Sequence, residues 1–384
     1  MRLAIITPRF GPDVLGGAET FARNLAEQLA THGHEVHLWT TCAKEYYRWD
    51  NVYPGGASTQ NQVTVRRFPI TSYDQTRFAE LSQRLEQQWG LGWAQQQAWL
   101  AASAHSQPLY NALSQEASSY DALLVLPYQA ALAQAAAWIA PERTILIPCL
   151  HDEPYAYLEM FRLLLTETFG VLFLTPEEQA FTNNQLKVNL KQQAVLGAAV
   201  SDQATTATRN PAHPPYLLTM GRLEAGKNMA LLYDYMQRLA NDGSPVKLLL
   251  TGDGPFTPPT QPPFELRGFV PDAEKHALLA GATALVQPSL NESFSLVLLE
   301  SWLAKCPVLV HKDGTVTSGH IRRSQGGLMF ATYGEFAAAV HTLVAEPEIA
   351  RTMGENGRTY TLQNYTWPRI ISRLENILGS WLTD

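Results

Sequence analysis

The stretch that decides the fold is residues 288–300, whose sequence is PSLNESFSLVLLE. It follows the apolar run 284–287, which predicts a short buried strand, and it leads into an apolar helix that we expect to begin near Ser295. Strand, polar loop and helix in this order predict an α/β unit whose free helix amides face the carboxyl ends of the strands. Those amides and the helix dipole favour an anion such as a phosphate.

Two carboxylates accompany this helix start. Glu292 lies just outside the helix N-terminus, where it can accept hydrogen bonds from sugar hydroxyls, and Glu300 lies farther along the helix. The alternative for Glu292 is a helix-capping acid, and the alternative for Glu300 is an exposed helical glutamate. The second alternative is disfavoured because the neighbours of Glu300 are almost all apolar.

A second loop of the same kind occupies residues 219–228, TMGRLEAGKN. A strand enters a glycine turn that presents Arg222 and then Lys227 before the next helix begins. Arginine offers a fixed fork of donors and lysine a mobile point charge, so the pair suits a diphosphate. A solvated loop with ordinary surface charges is the alternative.

Around these loops, short apolar runs alternate with helical periodicity twice along the chain, which predicts parallel sheets covered by helices. The predicted strands are 3–6, 35–40, 63–68, 122–126, 144–148 and 171–174, then 216–220, 246–251, 265–269, 284–287 and 307–310. Residues 200–215 are polar and proline-rich, which is typical of a linker. We therefore predict an N-terminal domain 1–200 and a C-terminal domain 201–366, with a helix at about 367–384 packing back on the N-terminal domain.

Composition narrows the class of protein. A length of 384 residues suits two domains, and a hydrophobic fraction of 46% suits sizeable cores. The formal charge of −7 gives no electrostatic footprint for nucleic acid. Three widely spaced cysteines fit neither a disulfide framework nor a zinc site, which favours the cytoplasm, and no apolar run is long enough for a membrane span.

Three features of the N-terminal domain are candidates for function. Gly16 and Gly17 lie where backbone amides can approach a ligand, although a tight turn is the alternative. His151 closes an apolar strand. A glutamine-rich segment holds Trp89, Trp93 and Trp99, which suits a membrane interface, carbohydrate stacking or a core-facing helix, and we favour the core.

Together these motifs resemble the retaining glycosyltransferases of family 4, whose GT-B fold is α/β, with two Rossmann-like doubly wound parallel-sheet domains facing across a cleft. The resemblance runs from Met1 to about Tyr365. It rests on the spacing of Glu292 and Glu300, the loop from Gly221-Arg222 to Lys227, Gly252-Asp253-Gly254-Pro255 and Gly16-Gly17-Ala18-Glu19. Ser295 replaces the family's common glycine, and Lys305 replaces a small residue.

The resemblance implies roles for particular residues. Arg222 and Lys227 would neutralise a donor diphosphate, Glu300 would hold the ribose, and Glu292 with the amides of residues 294–297 would grip the sugar. His151 would contact the donor sugar, and the loop around Val270 would receive the nucleobase. The predicted catalytic residues are His151, Glu292, Arg222 and Lys227, and the predicted substrate-binding residues are Gly16, Gly17, Arg222, Lys227, Val270, Asn291, Glu292, Ser293, Phe294, Ser295, Leu296, Val297 and Glu300.

We therefore expect retaining transfer of a hexose-type sugar from a UDP- or GDP-linked donor to a glycan or lipid-linked acceptor, without metal or cofactor. The alternatives are a nucleotide-sugar epimerase on the same fold and a non-catalytic nucleotide-sugar-binding subunit of a glycan assembly complex. We expect no nucleic-acid partner and a cytoplasmic location, and peripheral contact with the inner face of a membrane stays open.

Overall fold

The computed structural model describes residues 1–14, 16–46, 48–201 and 210–382. Most of the predicted linker, residues 202–209, lies outside the described residues. Contacts between Cα atoms divide the chain into unit 1, Met1–Gly197 with Ile371–Asp384, and unit 2, Ala198–Ile370.

In the described part of unit 1, eight strands form one sheet in the order β3-β4-β2-β1-β5-β6-β7-β8. Its strands are parallel except for β3, which pairs with β4 in the antiparallel sense. The strands are β1 (Arg2–Ile6), β2 (Glu35–Thr41), β3 (Gly56–Gln60), β4 (Val63–Phe68), β5 (Ala122–Val125), β6 (Thr144–Leu146), β7 (Gly170–Phe173) and β8 (Gln193–Val195).

The first helix of unit 1 follows the expected periodicity, because Phe21, Leu25 and Leu29 are all buried. The helices are α1 (Gly17–Thr31), α2 (Gln75–Gln88), α3 (Trp93–Ala102), α4 (Gln107–Glu116), α5 (Ala131–Ile139), α6 (Glu159–Glu167) and α7 (Pro176–Phe181). The last helix is α14 (Trp367–Trp381), and its residues from Ile371 onward belong to unit 1. Within that unit Glu375 forms an ion pair with His34 at 2.9 Å.

The expectation that the tryptophan segment faces the core is wrong for two of its three tryptophans. Trp99 is buried, whereas Trp89 is 56% exposed and Trp93 is 50% exposed. The cause is a break in the helix: α2 ends at Gln88 and Trp89 takes a left-handed conformation. The two glycines that follow separate α2 from α3, so the helical spacing does not carry through the segment.

In unit 2, the described residues form a parallel sheet with the strand order β11-β10-β9-β12-β13-β14. When the six strands are numbered from the first strand of unit 2, this order is 3-2-1-4-5-6. In a doubly wound sheet of this order, ligands bind where the strand order reverses. The reversal lies between β9 and β12. The strands are β9 (Tyr216–Met220), β10 (Lys247–Thr251), β11 (Phe264–Gly268), β12 (Ala284–Gln287), β13 (Val308–His311) and β14 (Gly327–Phe330).

The helices of unit 2 are α8 (Met229–Asn241), α9 (Asp272–Gly281), α10 (Leu296–Leu303), α11 (Thr315–Ser324), α12 (Tyr333–Ala345) and α13 (Pro347–Asn364). Helix α10 is the one predicted from residues 288–300. It is nearly surrounded by protein: Leu298, Leu299 and Trp302 are fully buried. Helix α13 supports it, because Arg358 donates to the carbonyl of Leu303 at its last turn at 2.6 Å.

The packing of α13 against the end of α10 gives a test of the fold. A Cβ on Gly354 would lie 1.9 Å from the Lys305 carbonyl oxygen, which is backbone and cannot turn aside. We predict that Gly354→Ala lowers the opening free energy of the unit 2 core strands by about 1–3 kcal/mol, measured by hydrogen–deuterium exchange.

Gly334→Ala is the matched control, because a Cβ on Gly334 in α12 meets no atom within 4 Å. It should leave protection unchanged or raise it slightly, since alanine favours a helix over glycine. Equal protection in the two variants would contradict the close packing of α13 on α10.

Candidate functional site

Glycines allow two loops to meet at the carboxyl edge of the unit 2 sheet. The loop after β9 begins at Gly221 (φ 117°) and the loop after β10 at Gly252 (φ 116°), both in the left-handed region that favours glycine. A Cβ on Gly252 would lie 1.9 Å from the Gly221 carbonyl oxygen. The backbone amide of Leu223 then donates to the carbonyl of Asp253 at 2.9 Å. These contacts hold the loop that carries both predicted cations.

The loop after β9 also contacts the loop after β12. Lys227 ends a short 3₁₀ turn (Ala225–Lys227), and Asn228 takes a left-handed conformation to begin α8. The side-chain amide of Asn228 donates to the Pro288 carbonyl at 3.2 Å. The switch point between β9 and β12 therefore brings the two predicted loops together.

Lys227 and Glu292 form the centre of this junction. The ammonium Nζ of Lys227 lies 2.7 Å from Oε1 of Glu292, and the two side chains are only 23% and 12% exposed. Both residues were predicted for the site, from segments 65 positions apart. A shielded ion pair of this kind is stronger than one in water and lies ready to reorganise around a charged ligand.

Gln287, which the sequence analysis missed, supports the same carboxylate. Its side-chain amide donates to Oε1 of Glu292 at 3.1 Å and to the hydroxyl of Ser295 at 3.4 Å. Gln287 is the last residue of β12 and is 7% exposed. A polar side chain closing an apolar strand was the available signal.

The start of α10 departs from ordinary helix geometry. Ser295 precedes the helix with φ 72° and ψ 71°, and its side chain makes no capping bond. A serine in this left-handed conformation is strained, whereas a glycine would not be. The first helix residues, Leu296 and Val297, carry backbone amides at the N-terminus, as predicted for an anion site.

An aromatic cluster lies beneath this loop. Phe294 is buried, and its ring lies 5.2 Å from the rings of both His320 and Tyr365. Nδ1 of His320 lies 3.1 Å from the Tyr360 hydroxyl. Burial, with a smaller contribution from Arg323, lowers the pKa of His320 to about 3. The ring is therefore neutral at physiological pH.

Glu300 lies one turn into α10, and its partner is also a lysine. Oε1 of Glu300 lies 3.0 Å from Nζ of Lys275 in α9, a residue that the sequence analysis did not single out. Burial opposes the charge of Lys275, but the carboxylates of Glu300 and Asp272 outweigh burial and raise its pKa. The half-buried Glu300 carboxylate thus has a charged partner.

The remaining predicted residues of unit 2 lie in loops at the same edge of the sheet. Arg222 is 69% exposed and pairs with Glu224 at 3.4 Å. The Asn291 carbonyl accepts from the Ser289 hydroxyl at 3.1 Å, which shapes the loop that also holds Ser293. Val270 lies in the loop between β11 and α9.

In unit 1, the predicted glycine turn begins α1. Gly16 has φ 154°, and a Cβ on it would lie 2.0 Å from Oε2 of Glu19. Glu19 in turn forms a short ion pair with Arg9, and both side chains are about nine-tenths buried. Gly17, the first residue of α1, has open space where a Cβ would be. The backbone conformation of Gly16 therefore disfavours any other residue, whereas Gly17 has room for a side chain.

His151 follows β6 and contacts an acid that sequence reasoning missed. Its Nε2 lies 3.2 Å from Oε2 of Glu153. Oε1 of Glu153 accepts from the Tyr128 hydroxyl at 2.7 Å and from the Gln129 amide at 2.5 Å. Because a carboxylate accepts hydrogen bonds, the contact favours the His151 tautomer with the proton on Nε2.

A second acid holds the backbone next to His151. Glu178 is buried, and its two carboxyl oxygens accept from the amides of Leu150 and Leu174, both at 2.6 Å. Burial raises the pKa of Glu178 to about 8, although these backbone bonds act in the opposite direction. Glu178 thus joins the loops after β6 and β7.

The described residues contain no group of three or more His, Cys, Asp or Glu side chains placed to hold a metal ion. None of the described helices is long and apolar enough to cross a bilayer. Cys42, Cys149 and Cys306 are free thiols.

Comparison with protein families finds a match to the part of the chain that carries this junction. Residues 214–346 match the family described as Glycosyl transferases group 1. The matched range contains Arg222, Lys227, Glu292 and Glu300. The matched range thus lies entirely within unit 2.

Comparison with curated proteins finds partial matches to glycosyltransferases. Glycosyltransferase 1 domain-containing protein 1 of Xenopus tropicalis is 33% identical over 98 residues, 26% of this chain and 28% of that protein. Trehalose synthase of Rubrobacter xylanophilus is 27% identical over 179 residues, 41% of each chain. A GDP-mannose-dependent α-(1-6)-phosphatidylinositol dimannoside mannosyltransferase of Mycobacterium tuberculosis is 28% identical over 170 residues, 43% of this chain and 44% of that protein. The chain thus spans less than half the length of these relatives.

Solved structures match the whole chain. Sucrose-phosphate synthase from Thermosynechococcus elongatus has a TM-score of 0.74 at 18% identity, covering 100% of this chain and 99% of that one. Anabaena HepE in complex with UDP-glucose has a TM-score of 0.71 at 17% identity, covering 99% and 100%. At such identities the likeness concerns the fold, and it confirms the predicted two-domain α/β architecture of GT-B type.

The buried His320 makes the stability of unit 2 depend on pH. The pKa of His320 in the folded protein lies below the ordinary value of 6.5. Between these two values the unfolded chain binds a proton at His320 and the folded chain does not. The contribution of the neutral His320 to the stability of unit 2 is fully present above pH 6.5 and is lost as the pH falls towards 3. From pH 7 to pH 5 the loss is roughly 2 kcal/mol for one such histidine.

We predict that His320→Asn flattens this part of the pH dependence, because asparagine does not titrate. The measurement is hydrogen–deuterium exchange of β12 and β13 in both proteins at each pH. His341→Asn, which removes an exposed histidine of α12, should keep the wild-type slope. If the opening free energy of the His320→Asn variant varied with pH as steeply as that of wild type, the His320 ring would already be charged in the folded protein.

Proposed function

We propose that this protein is a glycosyltransferase that moves a hexose-type sugar from a UDP- or GDP-linked donor to a glycan or lipid-linked acceptor. One observation carries the proposal: the ion pair between Lys227 and Glu292, 2.7 Å apart, lies at the strand-order reversal of the matched domain. Three of the similar structures, all of Anabaena HepE, were solved with UDP or UDP-glucose, which supports a nucleotide-sugar donor here.

The charges of the junction suit departure of a nucleoside diphosphate. The Lys227 ammonium has three donors and gives one to Glu292, so it can also bind a phosphate oxygen. The amides of Leu296 and Val297 and the exposed Arg222 add further positive potential. Fixed donors aimed at developing charge are the main source of catalysis in such sites.

We propose further, from the resemblance to the retaining glycosyltransferases, that transfer retains the anomeric configuration. We also propose that it needs no metal, because lysine and arginine can neutralise the leaving diphosphate. Glu292 would bind the sugar hydroxyls and Glu300 the ribose. His151 and the Gly16-Gly17 turn belong to unit 1, and their part in the transfer stays a prediction. So do the cytoplasmic location and any contact with a membrane.

Binding of nucleoside diphosphates tests the donor site directly. We predict that Lys227→Ala weakens binding of UDP or GDP by roughly 10- to 150-fold, the usual effect of losing a hydrogen bond to a charged group. Isothermal titration measures the dissociation constants. The control is Lys247→Ala, because Lys247 begins β10 and so lies at the opposite edge of the sheet.

Unchanged affinity for UDP and GDP in a folded Lys227→Ala protein would show that the diphosphate does not bind at this junction. Equal losses in the Lys227 and Lys247 variants would point to general electrostatic attraction instead of a site.

Turnover of an α-linked nucleotide hexose in the absence of acceptor tests the chemistry. We predict slow release of nucleoside diphosphate and of free hexose, and the hexose should initially be the α-anomer. Proton NMR measures both products. The rate of release should not change when EDTA is added. Initial β-anomer would contradict retention, and a loss of rate with EDTA would contradict metal independence. An epimerase would convert the donor without releasing diphosphate, and a binding subunit would leave it intact.

A further inference from the structure

Lys275 links two helices of unit 2 at the carboxylate proposed to hold the ribose. Its ammonium lies 3.0 Å from Oε1 of Glu300 in α10 and 3.0 Å from Oδ1 of Asp272 in its own helix, α9. Asp272 stands three residues before it, one turn away on the same face. One ammonium thus bridges α9 and α10.

The contact of Lys275 with Glu300 is more shielded from solvent than its contact with Asp272. The side chains of Lys275 and Glu300 are 20% and 26% exposed, whereas Asp272 is 83% exposed. Glu300 belongs to a helix whose neighbouring residues Leu299 and Trp302 are fully buried. A cation held beside a carboxylate in such surroundings fixes the direction of that carboxylate.

The bridge differs from the ion pair between Lys227 and Glu292. Lys227 contacts one carboxylate and has donors to give to a ligand, while Glu292 keeps a second partner in Gln287. Lys275 contacts two carboxylates at once. A second anchor makes Lys275 less able to leave Glu300 when a ligand binds.

We propose that Lys275 is a positioning residue that sets the direction of Glu300 and thereby makes the site select ribose over 2′-deoxyribose. A carboxylate has about four acceptor positions, and Lys275 occupies one of them on Oε1. The others suit the two neighbouring hydroxyls of a ribose, which a freely rotating side chain would meet less well. The inference rests on the proposed function, since it assumes a nucleotide in this site.

The ratio of two affinities tests this role, because a general loss of structure would weaken both ligands alike. UDP and 2′-deoxy-UDP, or GDP and 2′-deoxy-GDP, are titrated against wild type and Lys275→Met. Wild type should prefer the ribonucleotide by about 10-fold or more, as expected for a hydroxyl bound to a carboxylate. Lys275→Met should bring the ratio close to one and leave the affinity for the deoxynucleotide nearly unchanged.

Three further variants complete the experiment. Lys305→Met removes another lysine ion pair of the unit, with Glu355 at 2.8 Å, and should keep the wild-type ratio. Glu300→Gln should lose the preference, and adding Lys275→Met to it should change the ratio no further, because Lys275 acts through Glu300. Lys275→Gln replaces Lys275→Met if the latter does not fold.

A wild-type ratio in Lys275→Met, or a further fall of the ratio in the double variant, would overturn the role of Lys275. A wild-type protein that binds both nucleotides equally would overturn the inference and leave the proposed function standing. A wild-type protein that binds no nucleoside diphosphate would overturn the proposed function itself.

Discussion

The reversal of strand order between β9 and β12 is the constraint on which the candidate site depends. These neighbouring strands run parallel, so the loops that follow them leave the same edge of the sheet. Lys227 and Glu292, 65 positions apart in the chain, meet there at 2.7 Å in partly shielded surroundings. Without that reversal each would be an ordinary loop charge.

The rest of unit 2 holds this junction in place by contacts of three kinds. Close glycine packing fixes the loop after β9 against the loop after β10. Gln287 and the aromatic rings around Phe294 fix the loop after β12 from below. Lys275 fixes Glu300 on the far side of the helix start. Polar side chains hold the carboxylates, and apolar ones hold the backbone that carries them.

Much of this arrangement could be predicted from the sequence, because the signals were local. Apolar runs predicted eleven of the described strands to within two residues at each end, and the 288–300 stretch predicted a helix start that lies one residue from the observed Leu296. Lys227 and Glu292 were both chosen from their loops. Four other residues were not chosen, because each matters through a partner distant in sequence or through burial. They are Gln287, Lys275, Glu153 and His320. The exposed Trp89 and Trp93 show the opposite error, where helical spacing was assumed across a break in the helix.

The central claim is that the ion pair at the β9–β12 reversal receives the donor diphosphate. A crystal structure of the protein with UDP or GDP bound tests this most directly. The account predicts diphosphate oxygens within hydrogen-bond distance of Nζ of Lys227 and of the backbone amides at the start of α10. A diphosphate bound elsewhere, for instance at the Gly16-Gly17 turn, with Lys227 still paired to Glu292 alone, would contradict it.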